Sequence, residues 1–177
     1  GLAYRTDFDL SAHQKASGQD LSYRAEGEEP IMPHVIEPSF GVDRTFLAVL
    51  ASAYAEDEQN GETRAYLKFK PHLAPVKAAV FPLLKNKPEL VAKAREIYTN
   101  LKKDIPQIMW DDNGNVGKRY RRQDEIGTPY CITVDFDTLG ETPEMLDTVT
   151  VRDRDDGEQE RVPVADLAAY LLAKIRV

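Results

Sequence analysis

Two rhythms of apolar and polar residues run along this chain. In the first stretch, Val35 and Ile36 carry β-branched strand character, and beyond Gly41 the residues Phe46, Leu47, Val49, Leu50, Ala53 and Tyr54 recur at helical spacing. The pattern predicts a strand, a turn in which Gly41 takes a conformation closed to other residues, and a helix with one apolar face. That helix is expected to end among Glu56, Asp57, Glu58, Gln59, Asn60 and Gly61, a solvated acidic end followed by turn residues. Acidic side chains sit poorly at a helix C-terminus, so the segment reads as a fraying end or a linker. It therefore marks the expected boundary between two domains, 1–60 and 61–177. Between Ser17 and Pro30 the chain is polar and rich in Gly and Glu, which reads as a connecting loop or hairpin.

From about Tyr66 onward, strands and helices alternate. Leu67-Lys68-Phe69-Lys70 reads as a short strand, and Ala78-Ala79-Val80-Phe81 as a buried one. Pro88 and Glu89 open a helix whose buried stripe is Leu90, Val91, Ala94, Ile97, Tyr98 and Leu101. Ile108-Met109-Trp110 is a further strand, followed by a helix from about Val116 to Ile126 and a strand from Tyr130 to Phe136. Thr148 to Arg154 and Glu160 to Val162 complete the strands, and Val164 to Ile175 closes the chain as an amphipathic helix. Interleaving of this kind predicts an α/β domain with a mixed sheet of about five strands flanked by helices.

Composition narrows the classes of function. The 177 residues are 42% hydrophobic and 30% charged, which suits a soluble, cored protein. A formal charge of −7 argues against indiscriminate nucleic-acid binding, although a local basic patch can still hold RNA. The apolar runs are too short to span a bilayer and no secretory signal opens the sequence, so a cytoplasmic protein is expected. Cys131 is the sole cysteine, which excludes an internal disulfide; in its apolar strand it reads as a small buried thiol.

Candidate chemistry gathers in two places. Arg44 lies in the first turn of the helix after Gly41, where free N–H groups and a guanidinium suit an anion, phosphate above all. The alternative is an ion pair of Arg44 with Asp43 or Glu37. The second place is Gly117 to Pro129, where Lys118, Arg119, Arg121 and Arg122 surround Tyr120. Such a segment offers phosphate contacts and a stacking ring to RNA, or else forms a solvated helix knit by pairs with Asp124 and Glu125. Other readings fail on spacing. Gly114 to Arg119 lacks the first Gly and the Ser or Thr of a phosphate loop, and Asp111, Asn113 and Asn115 lack the Gly and Glu of a calcium loop. His13, His34 and His72 are scattered, so no metal site is expected, and Ser39 has no His–Asp partner pattern.

The octet Glu37-Pro38-Ser39-Phe40-Gly41-Val42-Asp43-Arg44 resembles the third signature motif of class II aminoacyl-tRNA synthetases, in its glycyl form. Arg5-Thr6-Asp7-Phe8-Asp9-Leu10 is similar to the stretch after the second motif, and Gly117 to Pro129 and Thr150 to Asp155 resemble later glycyl segments. The resemblance covers essentially the whole chain. It implies the end of an antiparallel class II catalytic domain, then an α/β anticodon-binding domain. It implies ATP as substrate, with Arg44 on its γ-phosphate beside Gly41, and Glu37 and Ser39 at the ammonium end of glycine. Mg²⁺ is implied for the full enzyme, with no tightly bound cofactor, and the parent is expected to be a homodimer that meets tRNA(Gly) and no membrane. Lys118, Arg119, Arg121, Arg122, Asp124, Glu125, Asp135, Arg152, Asp153 and Arg154 become candidates for anticodon contact. Glycine tRNAs share cytosines at the second and third anticodon positions, and Asp124, Glu125, Asp135 and Asp153 could accept from their amino groups. The first and second class II motifs are absent from these residues, so the chain alone is not expected to aminoacylate. The rival implication is a non-catalytic, synthetase-like accessory protein that binds RNA or DNA.

Overall fold

A computed structural model describes residues 1–59 and 61–176. The chain divides into two compact units, Gly1–Val49 and Leu50–Val177.

In the first unit, β1 (Leu2–Thr6) pairs antiparallel with β2 (Val35–Pro38), and α1 (Phe8–Ser17) follows β1 directly. Helix α1 ends on Gly18 in the left-handed conformation. The strand and helix expected around Gly41 are present: β2 stops at Pro38, and α2 (Val42–Ala53) begins one residue after the glycine. Gly41 itself is not in the left-handed region, and a Cβ there would meet nothing closer than Arg44's own side chain at 3.8 Å. The expected conformational demand on Gly41 is thus corrected: an ordinary backbone serves this turn. No residue of 1–49 is buried, and Leu2, Phe8, Ile36, Phe40, Phe46 and Leu47 all stand exposed. A two-stranded ribbon offers no opposing layer to cover an apolar helix face.

The second unit opens with a difference from expectation. The acidic run after α2 is no fraying helix end: β3 (Tyr54–Gln59) and β4 (Glu62–Leu67) form an antiparallel hairpin. Its register sets Asp57 directly opposite Arg64, so the charge that argued against ordered structure is neutralised across the strands. The boundary expected at residue 60 lies between these two paired strands, and Asn60 lies outside the described residues. The short strand expected at Leu67–Lys70 ends at Leu67. Leu67 and Leu50 pack against Ala53, Phe69 and Ala74 in a small apolar cluster.

The mixed sheet of five strands is as expected. Its members are β5 (Ala78–Pro82), β6 (Ile108–Trp110), β7 (Tyr130–Val134), β8 (Thr148–Asp153) and β9 (Gln159–Pro163), in the order β6-β5-β7-β8-β9. Strand β5 runs parallel to β6 and β7, while β8 and β9 return antiparallel. Successive residues of β5 face opposite ways. Ala78 and Val80 join Leu90, Ala94 and Ile97 of α3 (Pro88–Asp104) and Leu167 and Leu171 of α5 (Leu167–Ile175). Ala79 and Phe81 join Cys131 on the other face, beneath Val116 and Tyr120 of α4 (Val116–Glu125). Burial pushes the Cys131 thiol well above its ordinary range, so it stays protonated and inert. No described helix is long and apolar enough to cross a membrane.

Candidate nucleic-acid interface

Helix α4 carries most of the basic segment, and its ends set the side chains. Asn115 caps it, its Oδ1 accepting from the Lys118 N–H at 2.9 Å. It closes at Gly127, with φ +82°, where a Cβ would come within 2.4 Å of the Phe69 ring and 2.8 Å of the Leu67 carbonyl. Only glycine fits there. The helical period then divides the segment: Arg119, Gln123 and Asp124 turn inward and are buried, while Lys118 and Glu125 stay exposed.

Between this helix, the β3–β4 hairpin and the end of β8 lies a cleft of about 720 Å³. Gln59, Glu62 and Arg64 line it from the hairpin, and Asn115, Gly117, Lys118, Tyr120, Arg121 and Asp124 from α4 and its cap. Arg152, Asp156, Gly157 and Gln159 complete it from β8, the following turn and β9. Four cationic side chains thus meet three carboxylates.

A buried ion-pair web forms its floor. Asp124, 1% exposed, accepts from Arg152 Nη1 at 2.9 Å and Nη2 at 3.1 Å, and from Arg64 Nη1 at 3.0 Å. Arg64 also donates to the Arg154 carbonyl at 2.7 Å and forks onto Asp57, through Nε at 2.8 Å and through Nη2. The bonds from Arg64 hold the Asp57 carboxyl below the usual aspartate range. Arg152 Nη2 donates to Gln59 Oε1 at 2.9 Å, and its guanidinium carbon lies 4.9 Å from the Tyr120 ring centre. The Tyr120 hydroxyl is bonded to Thr133 Oγ1 at 2.7 Å, and burial raises its pKa.

Not every residue expected at the interface reaches it. Arg119 points inward, donating to the carbonyls of Pro82, Asp112 and Gly114. Arg154 likewise spends its guanidinium on the carbonyls of Gly127 and Phe69 at 2.8 and 2.7 Å. Both are corrected to interior braces, because a buried loop carbonyl needs a donor and a long arginine supplies several. Asp124 is corrected on the same ground: its oxygens are taken up by two arginines. Asp135 lies apart from the cleft. Burial raises its pKa, but hydrogen bonds from Arg161 and Thr138 outweigh that and hold the carboxyl low. Asp153, the last residue of β8, is half-buried and outside the cleft lining, and desolvation raises its pKa. Arg122 forks onto Asp111 at 2.7–3.1 Å, and Arg121 reaches Glu62 at 3.0 Å. Those two remain near the surface, where a salt-screened pair is readily exchanged for a phosphate.

Gln59, Glu62, Arg64, Asn115 and Gln159 were not among the sequence candidates. Gln59 was hidden by the reading of 56–61 as a fraying end or linker, and Glu62 and Arg64 lay between that segment and the first strand expected after it. Asn115 was visible only within the failed phosphate-loop and calcium-loop patterns.

The other candidate group belongs to the first unit. Glu37 on β2 lies 3.3 Å from Arg5 Nε, which with Nη2 forks onto Asp9 at 2.7 Å. Ser39 exchanges backbone hydrogen bonds with Gly1, at 2.9 and 2.7 Å. Arg44 stands exposed in the first turn of α2 and makes no ion pair among the described residues. Glu37, Ser39, Gly41 and Arg44 therefore occupy one strand–turn–helix corner.

The chain belongs to the anticodon binding domain family, whose model matches residues 77–174. Its relatives make the kinship narrower. It is 47% identical to a glycine–tRNA ligase of Deinococcus radiodurans, over 99% of this chain and 39% of that protein. It is 51% identical to one from Lachnospira eligens, over 99% and 37%, and 50% identical to one from Streptomyces coelicolor, over 99% and 38%. The chain thus spans somewhat over a third of the length of these relatives.

Proposed function

We propose that this chain works as the C-terminal part of a cytoplasmic, homodimeric glycine–tRNA ligase, which activates glycine with ATP and passes it to tRNA(Gly). The observation that carries the reading is the alignment of nearly the whole chain, both units included, with glycine–tRNA ligases at about half identity. In that reading the second unit, Leu50–Val177, holds the anticodon end of the tRNA. Lys118, Arg121 and Arg122 meet the phosphates and Arg152 forms the cleft floor, while Glu125 and Asp153 remain candidate contacts outside the cleft lining. The first unit, Gly1–Val49, contributes to the catalytic site.

There the chemistry needs no protein nucleophile. Arg44 would hold the γ-phosphate of ATP, with backbone N–H groups of the α2 N-terminus alongside past Gly41. Glu37 and Ser39 would accept from the glycine ammonium group, and a crowded pocket would exclude larger side chains. Arg5, already beside Glu37, keeps that carboxylate oriented. Among the described residues no three His, Cys, Asp or Glu side chains converge on a metal. Mg²⁺ bound with ATP would neutralise charge on its phosphates.

The test is a titration of the chain with a glycine tRNA transcript and with the same transcript altered at the second and third anticodon bases, at two salt concentrations. Preference for the native anticodon by about 1–3 kcal/mol per base is expected. Equal, weak binding to both would overturn the anticodon assignment.

A further inference from the structure

The β3–β4 hairpin lies outside residues 77–174 that match the family domain, yet it forms one wall of the cleft. We infer that this hairpin is a working part of the RNA interface, with Gln59 as a base-contacting specificity residue and Arg64 as the positioning residue that sets it. The inference rests on the reading of the cleft as an anticodon site.

Arg64 directs its donors inward. It binds Asp57 across the hairpin, Asp124 on α4 and the Arg154 carbonyl after β8, and its guanidinium carbon lies 4.1 Å from the Tyr66 ring centre. At 2% exposure, a planar fork held by carboxylates from two elements fixes the spacing between those elements. Asp124 in turn clamps Arg152 by two bonds, and Arg152 holds Gln59 Oε1. The connected groups run from Asp57 back to Gln59, so they begin and end on the same strand.

Gln59 is therefore not a free surface amide. Its oxygen is bound, and its nitrogen lies so close to Gly157 that a Cβ there would sit 2.1 Å away. An oriented, neutral amide held by Arg152 is suited to reading a base edge, whereas Lys118 and Arg121 in the same cleft supply attraction to any phosphate. Burying this much ionic structure on a mere linker would serve no purpose that a few apolar residues could not.

The experiment uses the whole chain, the native and anticodon-altered transcripts, and the variants Gln59→Ala, Arg64→Met and Arg64→Lys. Gln59→Ala is expected to melt with the wild type and to narrow the preference for the native anticodon about fivefold or more. Arg64→Met should narrow it similarly, with partial recovery in Arg64→Lys, which keeps charge but not the fork. Full preference retained in Gln59→Ala overturns the inference, as does parallel weakening of both transcripts in Arg64→Met. Should Arg64→Met not fold, the Gln59→Ala result decides alone. A wild-type chain without any preference would fail earlier, refuting the anticodon reading itself and the inference with it.

Discussion

Replacing Asp124 by Asn separates two roles for one carboxylate. A base reader at the surface could lose its charge with little effect on folding. In the structure, Asp124 instead accepts three hydrogen bonds from Arg64 and Arg152, which are 2% and 4% exposed. Asn keeps one acceptor and turns an NH₂ group toward a guanidinium, so donor faces donor. Removing one partner of a buried ion pair costs about 3–5 kcal/mol. Arg64 retains Asp57, which argues for the low end, about 3 kcal/mol. At about 3–4 °C per kcal/mol for a unit of this size, Tm falls by roughly 10 °C. The assay is thermal unfolding followed by the fluorescence of Trp110, the only tryptophan, which sits on β6 of the same sheet. A fall of under about 2 °C, together with lost discrimination between anticodons, would refute the buried-keystone argument and restore Asp124 as a reader.

Three further outcomes are expected. Gly127→Ala should lower Tm by an amount corresponding to about 2–4 kcal/mol, from left-handed strain and the overlap with Phe69, and the loss should shrink in a Phe69→Ala background; an unshifted melt would contradict the close approach. Asp153 has its pKa raised by burial, so its ionised form penalises folding at neutral pH and the penalty disappears as pH falls through the folded pKa. Asp153→Asn, which keeps the acceptor for the Asp155 N–H, should therefore raise Tm at pH 7 and lose that gain in acid; Asp57, held low by Arg64, gives the opposite slope, with stability lost as acid protonates it. Lys118→Ala should weaken binding of native and altered transcripts alike and reduce the salt slope by about one, which parallel binding curves at two salt concentrations would check.

Periodicity was sufficient for the sheet and its helices. Apolar stripes in Ala78–Phe81, in Leu90–Leu101 and in Tyr130–Val134 mark positions that water would penalise wherever the strands ended up, so burial could be read before any neighbour was known. The glycyl motifs, too, were legible as residues at fixed spacing. What the sequence could not disclose was the fate of charge. Arg64, Asp124, Arg119 and Arg154 carry the same polarity as residues left in solvent, and local pattern puts them on a hydrated face. Their burial depends on partners far along the chain: Arg64 meets Asp124 across 60 positions and the Arg154 carbonyl across 90. Hydrophobic burial is a property of one side chain and water, whereas a buried ion needs a counter-charge delivered within about 3 Å by another element. Only the tertiary structure makes that delivery, and it turned an acidic linker into a hairpin wall and three expected RNA contacts into the scaffold beneath the cleft.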